Sequence, residues 1–95
     1  MNDNELCEAI STLRHERGAN FSDCFIMCDP GEHYPINWLL PEHAMRLLEE
    51  MTEKALVEID CISDKGTKRV GTQYQDFVSD QLSRAICEAY YEVMK

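Results

Sequence analysis

Apolar residues at Leu6, Ile10 and Leu13 recur at spacings of four and three behind the polar run Asn2-Asp3-Asn4, which predicts a first helix over about residues 3–17. The boundary signals agree with the period. The opening Asn and Asp side chains can cap free backbone N–H groups, Arg14 and Arg17 place cations at the far end, and Gly18 is at ease in the left-handed backbone that ends a helix.

Next comes CFIMC, residues 24–28, five apolar residues between Asn20-Phe21-Ser22-Asp23 and Asp29-Pro30-Gly31. The run is too short for a helix and predicts a strand with both faces at least partly covered, Cys24, Ile26 and Cys28 on one side and Phe25 and Met27 on the other. Pro41 then opens a second helix, where its missing N–H costs nothing, with Glu42 near the positive end of the helix dipole. Ala44, Leu47, Leu48, Met51 and Ala55 form its apolar stripe, and Glu49, Glu50 and Glu53 are expected to face away.

Val57, Ile59 and Cys61 alternate with Glu58 and Asp60, the period of a strand with one wet face. Ser63-Asp64-Lys65-Gly66 reads as a tight turn, with Gly66 supplying a positive φ, and Val70, Thr72 and Tyr74 alternate on a returning strand in which Gly71 suggests a bulge or a weakened edge. A last helix follows a cap at Ser79 or Asp80 and carries Leu82, Ala85, Ile86, Ala89, Tyr90 and Val93 at spacings of three and four. The expected fold is α+β, helices packed on a small, mainly antiparallel sheet in the order α-β-α-β-β-α.

The chain has 95 residues, enough for a single domain over 1–95, and a chain of this size buries only about 60–65% of the surface of its unfolded form. Self-association, as a homodimer through helical faces, would add to so small a core. Nine Lys and Arg stand against 18 Asp and Glu, giving a formal net charge of −9. Such a surface repels phosphates and anionic lipid on average, so direct binding to nucleic acid or to a membrane is not expected. The basic trio Lys65, Lys68 and Arg69 falls in the hairpin and reads as solubilising.

No apolar stretch reaches the length of a membrane helix, and MNDNELCEAI lacks the basic and apolar regions of a signal peptide, so a cytoplasmic protein is expected. Five cysteines without a secretory signal then read as reduced thiols.

Candidate chemistry is sparse. Zinc needs four ligands at about 2.0–2.3 Å, and in a strand Cys24 and Cys28 would stand about 13 Å apart. A thiol- or zinc-dependent enzyme or sensor using Cys24, Cys28 and His33 is the alternative reading, and it lacks an identifiable fourth ligand. His15 beside Glu16 and His43 beside Glu42 are neighbours in sequence that a helix turns apart. Cys87, next to Ile86 on the apolar stripe, reads as a core thiol. Tyr90 falls on the stripe of the last helix while Tyr91 is turned about 100° away, so Tyr91 is either a partner contact or a cap on the core edge. No catalytic residues, metal ligands or cofactor are assigned.

The last helix, LSRAICEAYYEVMK at 82–95, with its Ala-Ile-Cys-x-Ala core, resembles the closing helix of the phage ABA sandwich family of small phage and prophage proteins. Tyr34 leading into AMRLLEEM at 44–51, and the hairpin between the two helices, are similar to the same family, so the resemblance spans 34–95. It implies a helix and sheet sandwich and a phage or bacterial source, and brings no activity.

The functional expectation is a small acidic protein, non-enzymatic and phage-encoded, that binds and inhibits or modulates a host protein in the host cytoplasm. Countering a defence system by acidic mimicry of nucleic acid is one form of it. The contacts expected are Glu42, Glu49, Glu50, Glu53 and Tyr91.

Overall fold

A computed structural model describes residues 1–28, 31–61 and 66–95. Asp29 and Pro30 of the first turn, Ser63-Asp64-Lys65 of the second, and with them Lys65 of the basic trio, lie outside the described residues. Among the described residues three α-helices, one 3-10 turn and five strands follow in the order α1 (Asp3–Glu16), the 3-10 turn (Phe21–Asp23), β1 (Phe25–Cys28), β2 (Glu32–Pro35), α2 (Pro41–Thr52), β3 (Val57–Cys61), β4 (Lys68–Thr72), β5 (Asp76–Ser79) and α3 (Leu82–Met94). The fold is α+β, and both of its sheets are antiparallel. Its strand count exceeds the expectation by β2 and β5, which makes the order α-β-β-α-β-β-β-α.

Helix α1 forms where the apolar period places it. The Asn2 side chain accepts a hydrogen bond from the Glu5 N–H at 2.8 Å, and Asp3 and Glu5 lie in the positive first turn. At the other end Gly18, with φ +103°, donates to the His15 carbonyl and Ala19 donates to the Arg14 carbonyl, the paired closure of a Schellman cap. The buried stripe is Leu6, Cys7, Ile10, Ser11 and Arg14, so a cation ends an otherwise apolar or small face.

Helix α3 is the centre of the molecule. It packs against α1 and α2 and also against β4 and β5, and Ala85, Ile86, Cys87, Ala89, Tyr90 and Met94 are buried in it. Neither expected cap holds: the N-cap is Gln81, whose N–H donates to Ser79 Oγ at 3.2 Å, and its own side chain caps nothing. Helix α2 starts at Pro41 and stops at Thr52, and Ala55 is buried beyond its end through an N–H bond to the Met51 carbonyl.

β4 is the middle strand of the three-stranded sheet. Val70 pairs with Ile59 on one side and Phe77 on the other. Val70 and Phe77 are buried, while Ile59 is 42% exposed.

Gly71 is neither a bulge nor on an edge, for the register is unbroken across it. A Cβ there would fall 2.5 Å from Arg69 Nη1, so glycine is what lets the Arg69 guanidinium cross the strand to Asp76 Oδ1 at 2.8 Å. Arg69 also meets Asp60 and Glu58, and the sheet face carrying Glu58, Asp60 and Asp76 is held by this one cation.

CFIMC departs from the expectation. Cys24 is buried ahead of β1, whereas Ile26, Met27 and Cys28 are exposed, because among the described residues β1 pairs only with β2, in a two-stranded sheet of its own. This hairpin is anchored at its base by rings: Phe25 stacks on Phe21 with centroids 4.8 Å apart, and His33 meets both edge-on. The molecule is elongated, 46 × 27 × 21 Å.

Candidate functional site

An open groove lies between α3 and β5. Its volume is about 410 Å³, and it is lined by Met1 and Leu6, by Gln75, Asp76, Phe77 and Val78, and by Arg84, Glu88, Tyr91 and Glu92. A second hollow of about 310 Å³ continues it past Gln75, Phe77 and Glu92 to Thr72, Tyr74 and Val93. Three consecutive residues of β5 face the groove although alternate side chains of a strand point to opposite faces, so its wall is the strand's edge. That edge has no partner strand among the described residues, since the sheet order is β3-β4-β5.

The local sequence explains the wall. Thr72 and Gln75 close a tight turn, with the Thr72 N–H and Oγ1 both donating to the Gln75 carbonyl at 3.0 Å, and this turns the chain back into β5. Phe77 points under α3 and is buried, while Val78 is 49% exposed. On the helix wall, Arg84 donates from Nε to Glu88 Oε1 at 3.0 Å, from Nη1 to Asp3, and from Nη2 to the Met1 carbonyl at 2.7 Å, tying α3 to the start of α1. Burial works against the Arg84 charge, but the hydrogen bonds from Glu88 and Asp3 outweigh it and raise its pKa above the usual value.

Tyr91 is half-buried, with Lys95 Nζ 5.5 Å above its ring, and Lys95 also meets Glu92 at 3.0 Å. The ion pairs at the groove and on the adjoining sheet face join six carboxylates, of Asp3, Glu58, Asp60, Asp76, Glu88 and Glu92, to three cations, Arg69, Arg84 and Lys95. The groove therefore has an apolar floor at Leu6 and Phe77 and a surplus of negative charge around it.

The expected site residues separate into three places. Glu42 and Glu49 on α2 and Glu53 at its C-cap are exposed and take no part in the groove, and Tyr91 is in it. Glu50 does not face away as its neighbours do. Arg14 grips it with two nitrogens, Nε to Oε1 at 3.2 Å and Nη2 to Oε2 at 2.6 Å, and Tyr90 donates its hydroxyl to Oε1 at 2.9 Å.

Glu50 is therefore a clamp between three helices. Arg14 donates its remaining arm to the Asp23 carbonyl and lies 4.6 Å from the centre of the Trp38 ring, whose indole N–H donates to Ser11 Oγ at 2.9 Å. Every nitrogen of that guanidinium has an acceptor, so the cluster holds α3 in place. Burial, then the bond to Glu50, pushes the Tyr90 phenol pKa far above its ordinary value.

Cys24, Cys28 and His33 are not brought together. Cys24 is buried near Arg14, and β1 and β2 pair Met27 with His33 and Cys28 with Glu32, so strand alternation turns Cys28 and His33 to opposite faces of the hairpin. His33 is engaged with Phe21 and Phe25. Burial raises the Cys24 thiol pKa against the pull of Arg14, which disfavours the thiolate that a nucleophile or ligand needs. Among the described residues, no group of three or more His, Cys, Asp and Glu is placed to hold a metal ion.

Sequence reasoning missed the groove because it missed β5. The signal available was Phe77-Val78 between Asp76 and Ser79-Asp80, two apolar residues flanked by polar turn formers. Compared with known proteins, the chain matches no family model, no curated protein and no solved structure.

Proposed function

We propose that this protein acts by binding another protein and modulating it, as a non-enzymatic inhibitor or adaptor. The observation that supports this reading is the groove between α3 and the unpaired edge of β5, apolar at Leu6 and Phe77, acidic in its surroundings and bordered by the half-buried Tyr91. An aromatic residue beside an apolar floor with charge at the rim is the composition of a protein contact surface. The formal charge of −9 adds long-range attraction toward a basic partner.

The resemblance to the phage sandwich proteins extends the proposal to a target in a bacterial host and a use in countering its defences. On that extension the exposed carboxylates Glu42, Glu49 and Glu53 of α2 offer a second acidic surface, the one suited to mimicking nucleic acid.

Nuclease-treated bacterial lysate passed over immobilised wild-type protein and a Tyr91→Ala variant tests the reading. The expected result is one protein recovered in stoichiometric amount on the wild type and depleted on the variant. Equal recovery on both, with the variant folded, removes the groove from the proposal.

A further inference from the structure

From the geometry of the α3–β5 groove we infer that its occupant is an extended segment of the partner protein that adds a fourth strand to the sheet, beside β5, with apolar side chains directed at α3 and basic side chains on the opposite face. The inference deepens the proposed function, because it rests on the groove being the partner site and names what enters it.

The backbone supplies the first part of the argument. β5 is the outer strand of its sheet, so roughly half of its N–H and C=O groups point away from β4, toward the groove. Four residues extend about 13 Å, enough to pair with a short strand. The opposite wall is helix α3, and a trough between a strand edge and a helix gives an added strand hydrogen bonds on one side and side-chain contacts on the other.

Two other strand edges carry exposed apolar side chains, Ile59 on β3 and Ile26 with Tyr34 on the β1–β2 hairpin. The hollow beside β3 is lined by Leu56, Glu58, Arg69, Gly71, Thr72 and Gln73, and no helix contributes to it.

The side chains supply the second part. A strand laid along β5 alternates between the face covered by α3 and the open face. On the covered face it meets the floor of Leu6 and Phe77, which takes apolar groups. On the open face it meets Asp76, and behind it Glu58 and Asp60, three carboxylates that among the described residues share Arg69. Opposite charges directly across a strand pair are favourable and like charges are not, so this face selects Lys or Arg.

A second copy of the chain is the wrong occupant. β4 is the strand with the fitting pattern, Lys68-Arg69-Val70, and both of its edges are already paired. β3 carries Glu58 and Asp60, and β2 carries Glu32.

The test is titration of the isotope-labelled protein with a capped heptapeptide of alternating lysine and valine, followed by amide chemical shifts and hydrogen exchange. A second peptide, identical but N-methylated at alternate residues along one edge, keeps the charge and cannot pair as a strand. The expected result is shifts at residues 76–79 and along 84–92, slowed exchange of β5 amides, and binding weakened roughly tenfold or more by N-methylation. Asp76→Lys should weaken the unmodified peptide while leaving the core shifts in place.

Equal affinity for both peptides, shifts confined to the Glu42, Glu49 and Glu53 face, or no binding at about millimolar peptide would each overturn strand addition. The proposed function fails separately, through lysate recovery that is indifferent to Tyr91→Ala.

Discussion

Glu50 shows what one carboxylate does when two partners are within reach of both its oxygens. It joins Arg14 of α1 to Tyr90 of α3, whereas Glu49 on the same helix and Glu53 at its C-cap are exposed. Glu50→Gln leaves the buried Arg14 guanidinium without its charge partner, and should cost about 1.5–3 kcal/mol in urea unfolding, against about 0.5 kcal/mol or less for Glu53→Gln. Equal costs would show that the clamp contributes nothing specific.

A second residue-scale outcome concerns alkali. Burial pushes the Cys87 thiol from 9.0 up to about 12, and the Tyr90 phenol is raised as well. Both folded-state values exceed the unfolded ones, so the stabilisation is fully present below the unfolded pKa and declines as pH rises through the window toward the folded value. Unfolding free energy should fall above about pH 9, by up to about 1.4 kcal/mol per pH unit for each group titrating, and Cys87→Ala should flatten the slope between pH 9 and 10. A slope unchanged in that variant would contradict the assignment. The sequence placed Tyr90 on the buried stripe by its spacing and Cys87 in the core by its position beside Ile86. It could not single out Glu50 from Glu49 and Glu53, because the distinction depends on where Arg14 and Tyr90 arrive in space.

At the scale of elements, what the sequence showed depended on length. Helices α1, α2 and α3 each carry 12 or more residues of periodic pattern, and their existence and buried faces were legible. β2 and β5 have four residues each, too few for an alternation to stand out, and β2 ends in Pro35. CFIMC was legible as a strand and misleading as a core strand, since an apolar run does not reveal whether any layer comes to cover it.

Among the described residues the β1–β2 pair has no third strand, and a two-stranded hairpin alone is marginal in water. Its order therefore depends on the ring cluster at its base, where Phe21 touches Phe25, His33 and His15. Phe21→Ala should raise amide exchange across 25–35 while α3 stays protected. Uniform loss of protection would mean that the hairpin and the core unfold together.

For the whole molecule, charge and shape act together. With 18 acidic against 9 basic side chains, self-repulsion opposes compaction, so added sodium chloride should raise the thermal midpoint at neutral pH by a few degrees, and a midpoint that falls with salt would contradict this. The negative field has two outlets, the exposed α2 carboxylates, visible in the sequence, and the α3–β5 groove, visible only once the chain is folded.

Hydrogen exchange on the protein bound to a captured partner decides between them. Protection gained across Asp76–Ser79 and along 84–92, with Glu42, Glu49 and Glu53 unaffected, is the result the groove predicts. Protection confined to α2, with the edge of β5 still exchanging freely, would contradict it.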